Sequence, residues 1–320
     1  MMKYKVVISA PYMQPVVDRF MQTFREENCD VIVPTVNERL SEAELLKIIP
    51  GVHGFISGDD RFTRAVLSAA HELRVISKWG TGIDSIDREA ATELGIRICN
   101  TLNAFTLPVS DSVFASMLSF ARRIPWQDRA MKNGEWIKQP GVSLAECTLG
   151  IIGVGNIGKA VARRAAVFGM TILGNDPKEM PEDFVRETNI RMVTKEELLK
   201  TADFVTINCD LNATTVHLMS DKQFSLMKPS AVLINTARGP IVDEPALVRA
   251  LKAKRIAGAA LDVFEVEPLP ADSPLLKMDN VLLSAHNTNS SPAAWERVHH
   301  NTMKNLFAGL KEGRQLRKVA

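Results

Sequence analysis

Short apolar runs bounded by polar or glycine positions alternate along the chain with stretches whose apolar residues recur every three or four positions. The runs at 4–9, 30–34, 54–57 and 74–77 are too short for helices and read as buried strands, with a further short strand at 96–99. The segments between them, 16–27, 42–48 and 63–70, carry a helical period. This alternation predicts βαβ units around a parallel sheet. At 106–124 the pattern changes: apolar residues cover more than one face and Pro125 follows, so one long buried helix is expected. Residues 126–140, with Trp126 and Trp136, read as an irregular arm. A second series then begins, with strands at 148–153, 171–173, 204–207, 231–234, 258–261 and 281–284. Its helices fall at 156–168, 195–200, 221–227 and 244–253, and a last amphipathic helix spans 291–310. The expected fold class is α/β, with two Rossmann-like doubly wound parallel-sheet domains.

Composition narrows the partners. A chain of 320 residues fits two domains at roughly 100–200 residues each. The 46% hydrophobic content is too high for disorder. Lys and Arg number 39 against 37 Asp and Glu, a net charge of +2, which leaves no electrostatic footprint for nucleic acid or an anionic membrane. The opening residues lack the apolar core of a signal peptide, and no apolar run approaches the length of a membrane span, so a cytoplasmic location is expected. Cys29, Cys99, Cys147 and Cys209 are scattered without a C-x-x-C pair and read as free thiols in a reducing compartment, with no metal expected.

The motif with the most chemistry is Gly153-Val154-Gly155-Asn156-Ile157-Gly158, a G-x-G-x-x-G pattern between an apolar strand and a helix. There the glycines permit a tight turn, close approach of backbone to a pyrophosphate, and close helix–strand packing. The helix N-terminus offers free N–H groups to the phosphates. Asp176 follows the next strand, 18 residues after Gly158, where a carboxylate can bond the adenosine ribose hydroxyls. It would repel a 2′-phosphate, so NAD is the expected cofactor.

Three later strands end in polar groups, the place where such a sheet holds its ligand. Arg238 follows the first, Asp262, Glu265 and Glu267 follow the second, and His286 follows the third. Oxidising a secondary alcohol requires removal of its hydroxyl proton, which imidazole can do near neutral pH. A carboxylate on the other ring nitrogen would fix the tautomer. The Arg fork suits a substrate carboxylate. His53, His71, His217, His299 and His300 lack such a setting and read as surface or packing residues. Asp262 reads either as a structural cap or as a nicotinamide-ribose contact, and Trp79 either as packing or as part of a substrate pocket.

Taken together, residues 78–84 (KWGTGID), the glycine loop, 235–243 (NTARGPIVD), 258–268 (GAALDVFEVEP) and the His286 segment resemble the D-isomer-specific 2-hydroxyacid dehydrogenase family over most of the chain. Within it the pattern is most similar to the D-3-phosphoglycerate dehydrogenases. The resemblance implies Arg238, Glu267 and His286 as catalytic residues, with Glu267 rather than Glu265 as the partner of the base. It implies a discontinuous substrate domain of residues 1–103 plus 290–320, an NAD-binding domain of 104–289, and a homodimer built around 106–140. Lys78, Trp79 and Gly80, with Arg238, fall at substrate-binding positions. Asn156, Ile157, Asp176, Cys209, Thr236, Asp262 and Thr81 fall at cofactor-contact positions. The implied reaction interconverts a small D-2-hydroxy acid and its 2-keto acid, with 3-phosphoglycerate as the leading substrate. The alternatives are a glyoxylate or hydroxypyruvate type of reductase and, from another class, an NAD-responsive corepressor.

The chain departs from the family pattern in three places. Ala285 stands where Pro usually precedes the His, and Asn287-Thr288-Asn289 replaces the apolar sequel. Around Ser57-Gly58-Asp59-Asp60 two carboxylates stand where phosphoglycerate dehydrogenases carry an Arg toward the phosphate, leaving Lys78 and Arg61 to compensate. The sequence ends soon after its last helix, so a C-terminal serine-sensing domain is not expected.

Overall fold

In the computed structural model, which describes residues 3–314, the strands pair in parallel in two sheets. The first sheet holds β1 (Tyr4–Ile8), β2 (Cys29–Ile32), β3 (Gly54–Ser57), β4 (Val75–Lys78) and β5 (Arg97–Cys99), in the order β2-β1-β3-β4-β5. The second holds β6 (Thr148–Ile152), β7 (Thr171–Asn175), β8 (Arg191–Met192), β9 (Phe204–Ile207), β10 (Val232–Asn235), β11 (Gly258–Leu261) and β12 (Val281–Leu283). Its order is β12-β11-β10-β9-β6-β7-β8, so the winding reverses between β6 and β9. A crevice opens beyond the strand ends at such a reversal.

Strand residues alternate between two cores, as a sheet covered on both faces requires. In β10, Val232 and Ile234 face a core containing Phe114, Met117 and Val161, while Leu233 faces one containing Phe224 and Leu247. The helix Thr106–Arg122 lies in the first of these cores, burying Val109, Val113, Phe114, Met117 and Phe120.

That helix ends earlier than its apolar pattern suggests, and the arm expected at 126–140 is helical in its first half. Arg123 takes a left-handed conformation (φ 58°), and a new helix, Ile124–Lys132, starts with Pro125 in its first turn. Proline there loses no hydrogen bond, so it opens a helix rather than closing one. Trp126 is thereby fixed: its indole N–H donates to Asp279 O at 2.7 Å, and its ring lies against Phe120. Trp136 lies beyond the helix and is 82% exposed. The segment expected at 16–27 is a 3-10 turn, Gln14–Phe20, running into the helix Met21–Glu26. The helices Arg88–Glu93 and Glu182–Thr188 and the two-residue β8 were not expected; each is too short to show a period.

The chain divides into Met1–Phe105 with Ser291–Ala320, and Thr106–Ser290. Compared with the sequence expectation, Ala104 and Phe105 join the first unit and Ser290 the second. Phe105 packs on Trp79 and Ala104 O accepts from Arg297, whereas the Ser290 N–H bonds Asn287 O. Residues 1–2 and 315–320 of the expected substrate domain lie outside the described residues. No helix among the described residues is long and apolar enough to cross a membrane.

The helix Pro292–Glu312 ties the second end of the chain into the first unit. Thr302 O accepts from Ser77 Oγ at 2.8 Å, and Gly309 lets the helix close on β4. A Cβ at Gly309 would lie 2.5 Å from Val75 Cβ. In an open helix Gly→Ala stabilises by roughly 0.5–1 kcal/mol. Here Gly309→Ala is expected to destabilise instead, by about 1–3 kcal/mol, read from the denaturant midpoint. An unchanged or higher midpoint would refute this packing.

Candidate active site

The glycine loop joins β6 to the helix Asn156–Val167, and its three glycines meet three different constraints. Gly153 has φ +88°, and a Cβ there would lie 2.5 Å from Cys209 N. At Gly158 a Cβ would lie 2.2 Å from Gly153 O, so this helix can approach the turn only with glycine at that position. Around the Cβ position of Gly155 nothing lies within 4 Å. Gly155 therefore owes its place to something other than internal packing, and it is the N-cap of the helix, beside the free N–H groups. Asn156 and Ile157 form the first turn of that helix.

Asp176, at the end of β7, braces this loop. Its Oδ2 accepts from Val154 N at 2.8 Å and its Oδ1 from Lys178 N at 2.8 Å, while the side chain stays half-exposed. Cys209 packs under Gly153; burial pushes its thiol up to about 11, so it is protonated at neutral pH and serves as wall rather than nucleophile. Thr236 Oγ1 and Asn208 Oδ1 are buried with no hydrogen-bond partner among the described residues. Buried polar atoms are nearly always paired, so orphans beside an open glycine cradle fit a polar ligand such as a dinucleotide.

Strand ends across the switch point carry a carboxylate–imidazole pair. His286 Nδ1 lies 3.0 Å from Glu267 Oε2, and both side chains are largely buried. The other oxygen of Glu267 accepts from Phe264 N at 2.9 Å, which fixes the carboxylate plane. Glu265, two residues away, turns to His217 Nε2 at 2.8 Å and to the Glu244 N–H. Arg238 follows β10, and its guanidinium donates to Ala237 O at 2.9 Å. The turn is shaped by Asn235, whose side-chain amide donates to Arg238 O and whose side-chain carbonyl accepts from Ala237 N. The next residue, Gly239, is pressed on the Phe264–Glu265 peptide: a Cβ would lie 1.9 Å from Phe264 C. That contact sets the Arg238 loop against the loop bearing Glu267. Sequence reading passed over Asn235, although an Asn before a turn is its natural signal.

Asp262 is 2% exposed, and its carboxylate accepts four hydrogen bonds from residues 284–288. This geometry makes it a structural cap of the loop that carries His286.

Lys78, Trp79, Gly80 and Thr81 belong to the first unit. Trp79 is buried, stacks on Tyr12 (4.8 Å between ring centroids) and donates its indole N–H to His299 Nδ1 at 3.0 Å. His299 is thus a core residue, and burial holds its pKa below the ordinary value. Gly80 takes φ +124°. Thr81 is exposed and donates to Thr101 O at 2.9 Å. Lys78 is buried, with its ammonium 3.0 Å from Asp59 Oδ1 and 3.3 Å from Trp79 O. Asp60 is wholly buried, accepting from Leu40 N at 2.7 Å and from the Ser9 hydroxyl; desolvation raises its pKa.

Residues 114–288 match the family model for the D-isomer specific 2-hydroxyacid dehydrogenase NAD binding domain. The chain is 41% identical over 255 residues to a glyoxylate reductase of Korarchaeum cryptofilum, covering 78% of this chain and 76% of that protein. It is 40% identical over 260 residues to a D-3-phosphoglycerate dehydrogenase of Methanocaldococcus jannaschii, covering 80% of this chain but 48% of that longer protein. The crystal structure of an Aquifex aeolicus D-lactate dehydrogenase complexed with NAD and lactic acid is similar with a TM-score of 0.85 at 25% identity, covering 98% of this chain and 99% of that one. With the glycine cradle and the strand-end acid–base pair in place, these likenesses mean that the chain belongs to the D-isomer specific 2-hydroxyacid dehydrogenase family, as an NAD-dependent enzyme.

Proposed function

We propose that the chain interconverts a small, unphosphorylated D-2-hydroxy acid and its 2-keto acid, of the glyoxylate or hydroxypyruvate type. The observation that carries the reaction is the Glu267–His286 contact at the strand ends of the NAD-binding sheet. With Nδ1–H committed to Glu267, Nε2 is the nitrogen that takes the substrate hydroxyl proton, and the carboxylate stabilises the imidazolium that results. Arg238 offers its fork to the substrate carboxylate and to charge developing on the carbonyl oxygen. NAD, when bound, supplies the hydride acceptor. Gly153, Gly155 and Gly158, with Asn156, Ile157, Asp176 and Thr236, would hold it.

The choice of an unphosphorylated substrate rests on Lys78. Its charge is balanced by Asp59 at 3.0 Å, so a phosphate arriving there would meet a neutral pair. Phosphoglycerate remains the second reading, supported by the 40% identity to a phosphoglycerate dehydrogenase. A homodimer through the region 106–140 is supported by the exposed Met131, Trp136 and Ile137. The four cysteines, none in a disulfide, suit the reducing cytoplasm.

His286→Ala is expected to lower kcat by about 10²–10⁴-fold while the NADH dissociation constant stays near that of the parent. Turnover at the parent rate would remove the imidazole from the reaction. Asp59→Asn removes the carboxylate in contact with Lys78 and leaves the buried Asp60 as the remaining acidic group that acts on it. It should raise kcat/KM for 3-phosphohydroxypyruvate relative to glyoxylate by about tenfold, equivalent to ~1.4 kcal/mol. A parent enzyme that already prefers the phosphorylated acid would reverse the substrate assignment. Asp176→Ala removes a carboxylate that would repel a 2′-phosphate, so the NAD over NADP preference in kcat/KM should fall at least about tenfold. An unchanged ratio would reassign that residue.

A further inference from the structure

His286 occupies the left-handed region, with φ 47°. A residue with a Cβ stays there only when its surroundings hold it. Part of that restraint comes from Asp262. The His286 N–H donates to Asp262 O at 2.7 Å, and the Asp262 carboxylate takes four donors from the same loop. Its Oδ1 accepts from Ser284 Oγ at 2.5 Å and Asn287 N at 2.9 Å. Its Oδ2 accepts from Thr288 N at 3.0 Å and Thr288 Oγ1 at 2.6 Å. Four donors saturate a carboxylate.

Two of these donors are backbone groups that any sequence supplies. The other two are hydroxyls at Ser284 and Thr288, and they flank the place where Ala285 brings no ring to stiffen the chain before the histidine. Asp262 itself directly follows β11, whose Leu261 pairs with Leu283 of β12. It also begins the segment that carries Glu267. One buried carboxylate therefore fixes the His286 loop to the start of the Glu267 loop.

We propose that Ser284 and Thr288 are positioning residues that act through Asp262 to hold the His286 ring in register with Glu267. The proposal rests on the assignment of His286 as the proton-transfer group. It makes the hydroxyls matter to turnover through the placement of the ring.

The test is the full-length Ser284→Ala/Thr288→Val double variant, with Thr288→Val and Thr288→Ser as single variants, assayed by NADH oxidation with glyoxylate. The double variant should lose about 10- to 100-fold in kcat, the scale of a small misplacement of a reacting group. KM for glyoxylate and the NADH dissociation constant should stay within about twofold of the parent. Thr288→Val alone should fall between, and it decides the matter if the double variant does not fold. Thr288→Ser, which keeps the hydroxyl, should restore most of the rate. Parent-like kcat in Thr288→Val would overturn the proposal, as would a raised KM at constant kcat, or a loss that serine fails to repair. Failure of the underlying assignment looks different: in that case His286→Ala would itself remain active.

Discussion

A proton can pass between an imidazole and a substrate hydroxyl only if the ring is held in one tautomer and one orientation, and the 3.0 Å contact between Glu267 and His286 does both. Everything nearby works to bring two strand-end loops to the same place. The carboxylate plane is set by the Phe264 N–H, and the histidine backbone is bent into the left-handed region and hung from Asp262 O. Gly239 allows the Arg238 loop to lie directly on the Phe264–Glu265 peptide. A side chain at that one position would push the guanidinium loop away from the acid–base pair.

The cofactor side of the same sheet is built from backbone rather than side chains. Gly153 and Gly158 are required by contacts within the protein, whereas open space surrounds the Cβ position of Gly155. Asp176 braces the cradle from the end of β7, one of its oxygens bonding Val154 N and the other Lys178 N. The shape of the phosphate loop therefore depends on the end of the neighbouring strand.

Much of this was legible in the residues. The βα alternation follows from short apolar runs, and glycine spacing encodes backbone constraints directly. The polar residues after β10, β11 and β12 mark strand ends. What the residues could not settle were pairings made at a distance. Glu265 and Glu267 are equivalent by composition; the fold sends one to His217 and the other to His286. The cap role of Asp262 depends on Ser284 and Thr288, more than 20 residues away, meeting its carboxylate. The Asp59–Lys78 pair required β3 and β4 to be neighbours. Pro125 misled because its place relative to a helix end, rather than its presence, decides whether it stops a helix or starts one.

If the carboxylate and the imidazole act as one device, their losses cannot multiply. A double-mutant cycle on kcat with Glu267→Gln and His286→Ala tests this most directly. The account predicts that the double variant retains the same residual rate as His286→Ala alone, since a carboxylate with no ring to orient contributes nothing further. A double variant slower by the full product of the two single losses would contradict it, and would mean that Glu267 and His286 serve the reaction separately.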